Sequence, residues 1–203
     1  MNILPKDIAE LLKKKPDSIA EQYSEASILF ADVVNFTPMS SQMTPIELVE
    51  LLNKVFSQFD GLVEKYDLEK IKTIGDCYMV ASGVPRPRQD HAQAITCLAL
   101  DMQEIVRQSD YFGRKLTFRI GINSGPVVAG VIGRKKFIYD LWGDAVNTAS
   151  RMESNGTGGL VQITRETYNL INDDFLCESR GVINVKGKGE LPVWFVRGRK
   201  QPG

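Results

Sequence analysis

Residues Leu68–Ala81 read LEKIKTIGDCYMVA, and this stretch decides the fold. Two runs rich in β-formers, Leu68 to Ile74 and Cys77 to Ala81, are separated only by Gly75-Asp76. A two-residue connection with glycine in it predicts a tight β-hairpin. Before it, Thr44-Pro45-Ile46-Glu47 carries the signature of a helix start: Thr44 as cap, Pro45 at the first helical position, Glu47 completing a capping box. Ile46, Val49, Leu52, Phe56, Phe59, Val63 and Tyr66 follow as a helical stripe about five turns long. Earlier still, Ser27–Val34 (SILFADVV) predicts a buried strand. After the hairpin, Asp90 with Gln93 predicts a second helix, with Ile95, Leu98, Met102, Ile105 and Val106 facing inward. Leu116–Asn123 and Val127–Ile132 then predict a strand pair around Ser124-Gly125-Pro126. Strand, helix, hairpin, helix, strand is the ferredoxin-like βαββαβ order of an α+β fold, with both helices on one face of an antiparallel sheet. A strand to Asp140, a helix from Asp144, a strand and short helix near Thr164 and a terminal hairpin (Gly181–Arg197) extend that sheet. Ile3–Glu25 reads as a helical lead-in, dividing the chain into residues 1–25 and a single domain over residues 26–203.

Asp32 and Asp76 are the sharpest chemical signal. One is the lone carboxylate in a buried apolar strand, and the other sits at the tip of the hairpin that should lie beside it. Converging carboxylates suit a hard cation such as Mg²⁺, which needs only one or two of them plus substrate phosphates. Taken singly, Asp76 could serve only its turn. A second constellation runs Asp140…Gly143-Asp144-Ala145-Val146-Asn147-Thr148-Ala149-Ser150-Arg151. If Asp144 caps a helix, Asn147 and Arg151 share one face, suited to a ribose and a phosphoryl group. Spacing alone equally allows an ordinary exposed face. Val185-Lys186-Gly187-Lys188-Gly189 is either a phosphate-contacting turn or a hairpin with solvated lysines, and no Walker loop occurs.

Composition excludes other classes. Lys+Arg and Asp+Glu are both 25, so no basic excess points to nucleic acid. Cys77, Cys97 and Cys177 share no ligand spacing and read as reduced, mostly buried thiols of an intracellular protein. His91, the only histidine, reads as structural. No apolar run is long enough for a membrane span, so a cytoplasmic domain is expected, with any membrane attachment made through other regions of a longer protein.

Together these segments resemble the class III adenylyl and guanylyl cyclase catalytic domain. The likeness is carried by Phe30-Ala31-Asp32-Val33-Val34-Asn35-Phe36-Thr37, Lys70–Asp76, Tyr139–Asp144 running on through Asn147 to Arg151, and Val185–Gly189. It covers nearly everything after about Glu25. The resemblance implies the class III cyclase fold and two divalent cations, Mg²⁺ or Mn²⁺, held by Asp32, Asp76 and the Val33 backbone. It implies backbone amides of Phe36 and Thr37 on the phosphates, Arg119 and Lys186 on the polyphosphate, Asn147 on the ribose and Arg151 at the transition state. Lys72 and Asp140 would read the base. Guanylyl cyclases typically carry Glu and a small residue there, so the lysine–aspartate pair implies ATP, although the same groups could also meet GTP. Members work as head-to-tail homodimers. One subunit would supply the metal aspartates and Arg119, and the other Lys72, Asp140, Asn147, Arg151 and Lys186. An N-terminal regulatory region in a longer protein is expected. The alternatives are a guanylyl cyclase and a non-catalytic, nucleotide-sensing module of the same fold.

Overall fold

The structure is a computed structural model that describes Ile8, residues 19–133 and residues 137–201. Its elements run β1 (Ile19–Val33), α1 (Phe36–Ser40), α2 (Pro45–Lys65), β2 (Glu69–Ile74), β3 (Cys77–Ser82), α3 (His91–Gln108), β4 (Phe118–Ile132), β5 (Ile138–Trp142), α4 (Asp144–Ser154), β6 (Val161–Thr164), α5 (Arg165–Ile171), β7 (Phe175–Val185) and β8 (Gly189–Arg199). They build one eight-stranded sheet in the order β2-β3-β1-β4-β6-β8-β7, with β5 paired to β4. The first four strands of that path are the βαββαβ core. Beyond it, β6 runs parallel to β4, so the extended sheet is mixed at that one junction.

Strand alternation sorts the core into two layers. On β1, Leu29, Ala31 and Val33 join the cluster beneath α2 and α3, while Ile28 and Phe30 join a second cluster with Ala145 and Ala149 of α4. Helices α2 and α3 therefore cover one face, and α4 covers the other. The expected capping box forms: the Glu47 amide donates to the Thr44 hydroxyl at 3.3 Å, and the Thr44 amide donates to the Glu47 carboxylate at 2.8 Å. Leu51, Val55, Phe59 and Val63 are buried, each contributing about 1.5–3 kcal/mol. Phe59 and Phe118 meet edge-on at 5.1 Å, and Phe59 meets Tyr78 at 5.5 Å. No helix among the described residues is long and apolar enough to cross a membrane.

Several expectations are corrected. A helical lead-in over Ile3–Glu25 is corrected at its end, because Ile19–Glu25 extend β1 along β4; Ile8 is helical and buried, and residues 3–7 and 9–18 lie outside the described ones. The β4 segment is one strand, not two. Ser124-Gly125-Pro126 makes no turn: Gly125 pairs with Ala26 and Val127 with Tyr23, so a β-bulge at Ser24-Glu25 faces Pro126. A bulge suits a residue with no N–H to give to the ladder. Ile46 and Val49 are exposed, since burial on α2 begins only at Leu51. The box at α3 does not form: Arg88 holds the Asp90 carboxylate at 2.7 and 2.9 Å, and Gln93 donates instead to the Leu170 carbonyl. The three cysteines are free but half-buried.

Candidate active site

The site begins where β1 ends. By alternation Asp32 points to the α4 side, one step beyond Phe30, and it stands between β3 and β4 at the centre of the sheet. The hairpin turn, with Gly75 at φ 61°, brings Asp76 beside it. Burial and then the Asp32 charge raise the Asp76 carboxyl to about 6, against the pull of backbone amides that include Val33. Burial, reinforced by the same carboxylates, pushes the neighbouring Cys77 thiol up to about 12, so it stays a neutral thiol.

Arg119 is the cross-strand partner of Asp32. Its Nη2 donates to Asp32 Oδ2 at 3.0 Å, and its Nε donates to Glu153 Oε1 at 3.1 Å. Glu153, on α4, is buried; burial first and then the Asp32 charge raise its carboxyl to about 7, with Arg119 pulling the other way. Sequence reasoning missed Glu153. Its signal was available: it follows Ala145 and Ala149 at helical spacing, so it falls on the buried stripe of α4.

Asp32 and Asp76 fit a hard divalent cation. They offer oxygen donors, and a cation between them would offset both the burial and the Asp32 charge that raise Asp76. Among the described residues no group of three or more His, Cys, Asp or Glu is placed to hold a metal ion, so substrate oxygens would have to complete the shell.

A second group forms across the sheet. Lys72 on β2 and Asp140 on β5 make a direct ion pair, half-buried on the lysine side and more deeply so on the aspartate side. Asp140 also accepts the Leu141 amide at 2.8 Å, which fixes its carboxylate. Lys72 stands just past a register shift between β2 and β3 at Ile71.

The third group lies on α4. Asn147 and Arg151 are exposed on one face, while Ala145, Thr148, Ala149, Met152 and Glu153 are buried on the other. Neither exposed side chain has a hydrogen-bond or ion-pair partner among the described residues. Gly143, not Asp144, caps the helix; Asp144 is its first residue and pairs with Lys188 from the β7–β8 turn. Lys186 in that turn is exposed. Two glycines seat α4 on β4. A Cβ at Gly121 would lie 2.0 Å from the Glu153 nitrogen, and one at Gly125 would lie 3.3 Å from the Ala145 Cβ. The Asn123 side-chain amide donates to the Ala145 carbonyl at 3.0 Å. Asn35, at φ 57°, turns the chain from β1 into α1, where Phe36 packs on the core and Thr37 is exposed.

The chain thus brings Asp32, Val33, Asp76 and Arg119 together, and joins Lys72 to Asp140. It leaves Asn147, Arg151 and Lys186 open on the surface. Such a set offers a cation site beside an arginine, a matched donor–acceptor pair, and free polar groups on a helix face. Residues 19–198 match the family described as adenylate and guanylate cyclase catalytic domain. An adenylate cyclase of Mycobacterium tuberculosis is 52% identical over 201 residues, covering 98% of this chain and 45% of that protein. The receptor-type guanylate cyclase gcy-28 of Caenorhabditis elegans is 42% identical over 203 residues, 98% of this chain and 16% of the relative. The guanylate cyclase domain of RhGC from Catenaria anguillulae, solved in complex with GTP, superposes with a TM-score of 0.87 at 36% identity, covering 89% of this chain and 100% of that one. The chain spans less than half the length of the two curated relatives. With the sheet order, the paired aspartates and these likenesses in agreement, the chain belongs to the adenylate and guanylate cyclase catalytic domain family.

Proposed function

We propose that this domain is an adenylyl cyclase that converts ATP to 3′,5′-cyclic AMP and pyrophosphate at sites shared by two copies of the chain. The observation that carries the choice of base is the Lys72–Asp140 pair. Its ammonium matches the N1 acceptor of adenine and its carboxylate the N6 amine. Asp32, Asp76 and the Val33 backbone carbonyl would hold two divalent cations, Mg²⁺ or Mn²⁺. When bound, these supply Lewis-acid activation of the attacking hydroxyl and neutralise charge on the leaving pyrophosphate.

The remaining steps belong to side chains. Arg119 and Lys186 hold the polyphosphate, with backbone amides of Phe36 and Thr37 beside it. Asn147 orients the ribose so that the 3′-oxygen lines up with the α-phosphorus. The 3′-O–P bond forms, the bond from that phosphorus to the bridging oxygen breaks with its electron pair leaving on pyrophosphate, and the hydroxyl proton passes to water. Arg151 donates to the phosphoryl oxygens as charge spreads over them, a role that needs its planar, permanently charged guanidinium. The openness of Asn147 and Arg151 supports a site completed by a second copy.

The guanylyl reading is favoured by the names of two relatives, gcy-28 and the Catenaria domain. Turnover of ATP and GTP side by side with Mg²⁺ or Mn²⁺, with products separated by chromatography, decides. Cyclic AMP in excess supports the adenylyl reading and cyclic GMP in excess the guanylyl one. No product from either nucleotide leaves the non-catalytic sensing module.

A further inference from the structure

Glu153 is the only buried carboxylate among the described residues, and the mechanism above gives it no part. Its side chain accepts one hydrogen bond, from Arg119 Nε at 3.1 Å. A buried acid is costly unless its partner and geometry repay the desolvation, and an apolar residue on the stripe of Ala145, Ala149 and Met152 would pack without that cost. Glu153 cannot retreat by a shift of its helix toward the sheet, because Gly121 already lets the α4 backbone approach to where a Cβ would stand 2.0 Å from the Glu153 nitrogen. Its carboxylate therefore presents a fixed acceptor to an arginine whose side chain remains 31% exposed.

We propose that Glu153 is the positioning residue for Arg119, fastening the guanidinium at Nε so that its terminal nitrogens are aimed at the Asp32–Asp76 pair and at the triphosphate arriving there. This rests on the cyclase reading. Here one terminal nitrogen, Nη2, sits on Asp32. With a cation held by the aspartates, that nitrogen would be free to meet a phosphate oxygen, with the Nε bond to Glu153 as the pivot. Arginine suits this division because its donors lie in one rigid plane, so fixing one of them orients the rest.

The test is a set of variants assayed for kcat, KM for ATP and inhibition by pyrophosphate: Glu153→Gln, Glu153→Asp, Glu153→Leu, Arg119→Ala, and Arg119→Ala combined with each of the last two Glu153 changes. Glu153→Gln keeps an acceptor oxygen at the same reach and stays within about threefold of the parent. Glu153→Asp keeps the charge but falls short of Nε, and Glu153→Leu removes the acceptor. Each raises KM and weakens pyrophosphate inhibition by about 10- to 100-fold, with a smaller fall in kcat. In the Arg119→Ala background both changes become silent. A structural role instead predicts the same factor with and without Arg119, and that result overturns the proposal, as does an Asp variant that behaves like the parent. If the Leu variant does not fold, the Asp variant, which keeps the charge, carries the comparison. A parent protein that makes no cyclic nucleotide sinks the cyclase reading and this inference with it. An active parent with independent effects sinks this inference alone.

Discussion

Replacing Gly121 by alanine tests how helix α4 is placed. The added Cβ would stand 2.0 Å from the Glu153 nitrogen, 2.4 Å from the Met152 carbonyl carbon and 2.6 Å from the Glu153 Cα. All three are backbone atoms, so no side chain can swing aside. Restoring ordinary contact at about 3.4 Å requires roughly 1.4 Å of local movement between α4 and β4. Overpacking of this kind costs about 1–3 kcal/mol, which for a chain of this size lowers the melting temperature by about 3–10 °C. The same displacement moves Asn147 and Arg151, and a misplacement near 1 Å costs about 100-fold in rate. Thermal unfolding followed by circular dichroism reads the first effect, and cyclic-nucleotide formation at saturating ATP reads the second. A Gly121→Ala protein with parental melting temperature and parental turnover would refute the argument that the close approach sets the helix.

Asp101 gives a pH-dependent prediction. Burial alone would raise its carboxyl, but Lys65 at 2.8 Å, Tyr66 at 2.6 Å and Arg199 at 2.7 Å hold it down to about 2. A folded-state value below the unfolded one of about 3.9 stabilises the fold above that pH, and the stabilisation is lost as pH falls toward 2. Asp101→Asn should therefore cost on the order of 2 kcal/mol at pH 7 in urea unfolding, with the gap to the parent narrowing below about pH 4. Thr44→Ala should cost about 1 kcal/mol in the same assay, since it removes the capping box of α2. Lys72→Glu together with Asp140→Cys should raise the share of cyclic GMP over cyclic AMP in a mixed-nucleotide assay; an unchanged ratio would remove the pair from base reading.

The fold was legible where local chemistry is decisive. Thr44 with Glu47 announced α2, and Gly75-Asp76 between two β-rich runs announced the hairpin. Asp32 stood out because a carboxylate in a buried strand has few innocent explanations. What stayed hidden depends on partners far along the chain. Ser124-Gly125-Pro126 reads as a turn in isolation and becomes a strand only because a bulge in β1 faces the proline. Asp90 looks like a cap until Arg88 takes its carboxylate. The glycine-flanked lysines gave no hint that Lys188 would fold onto Asp144, 44 residues earlier. Glu153 was passed over although it continues the Ala145 and Ala149 stripe, for a glutamate near a helix end normally reads as solvated, and the close approach of α4 to Gly121 sets it against the sheet.

The central claim is that a working site takes Asp32 and Asp76 from one copy and Asn147 and Arg151 from another. Mixing two inactive proteins, Asp32→Ala and Arg151→Ala, tests it directly. If two copies pair head to tail with two equivalent sites, free exchange makes half of the dimers mixed, and each mixed dimer keeps one intact site. The account then predicts recovery of about a quarter of parental turnover. Folded, dimeric variants that stay inactive on mixing would contradict it.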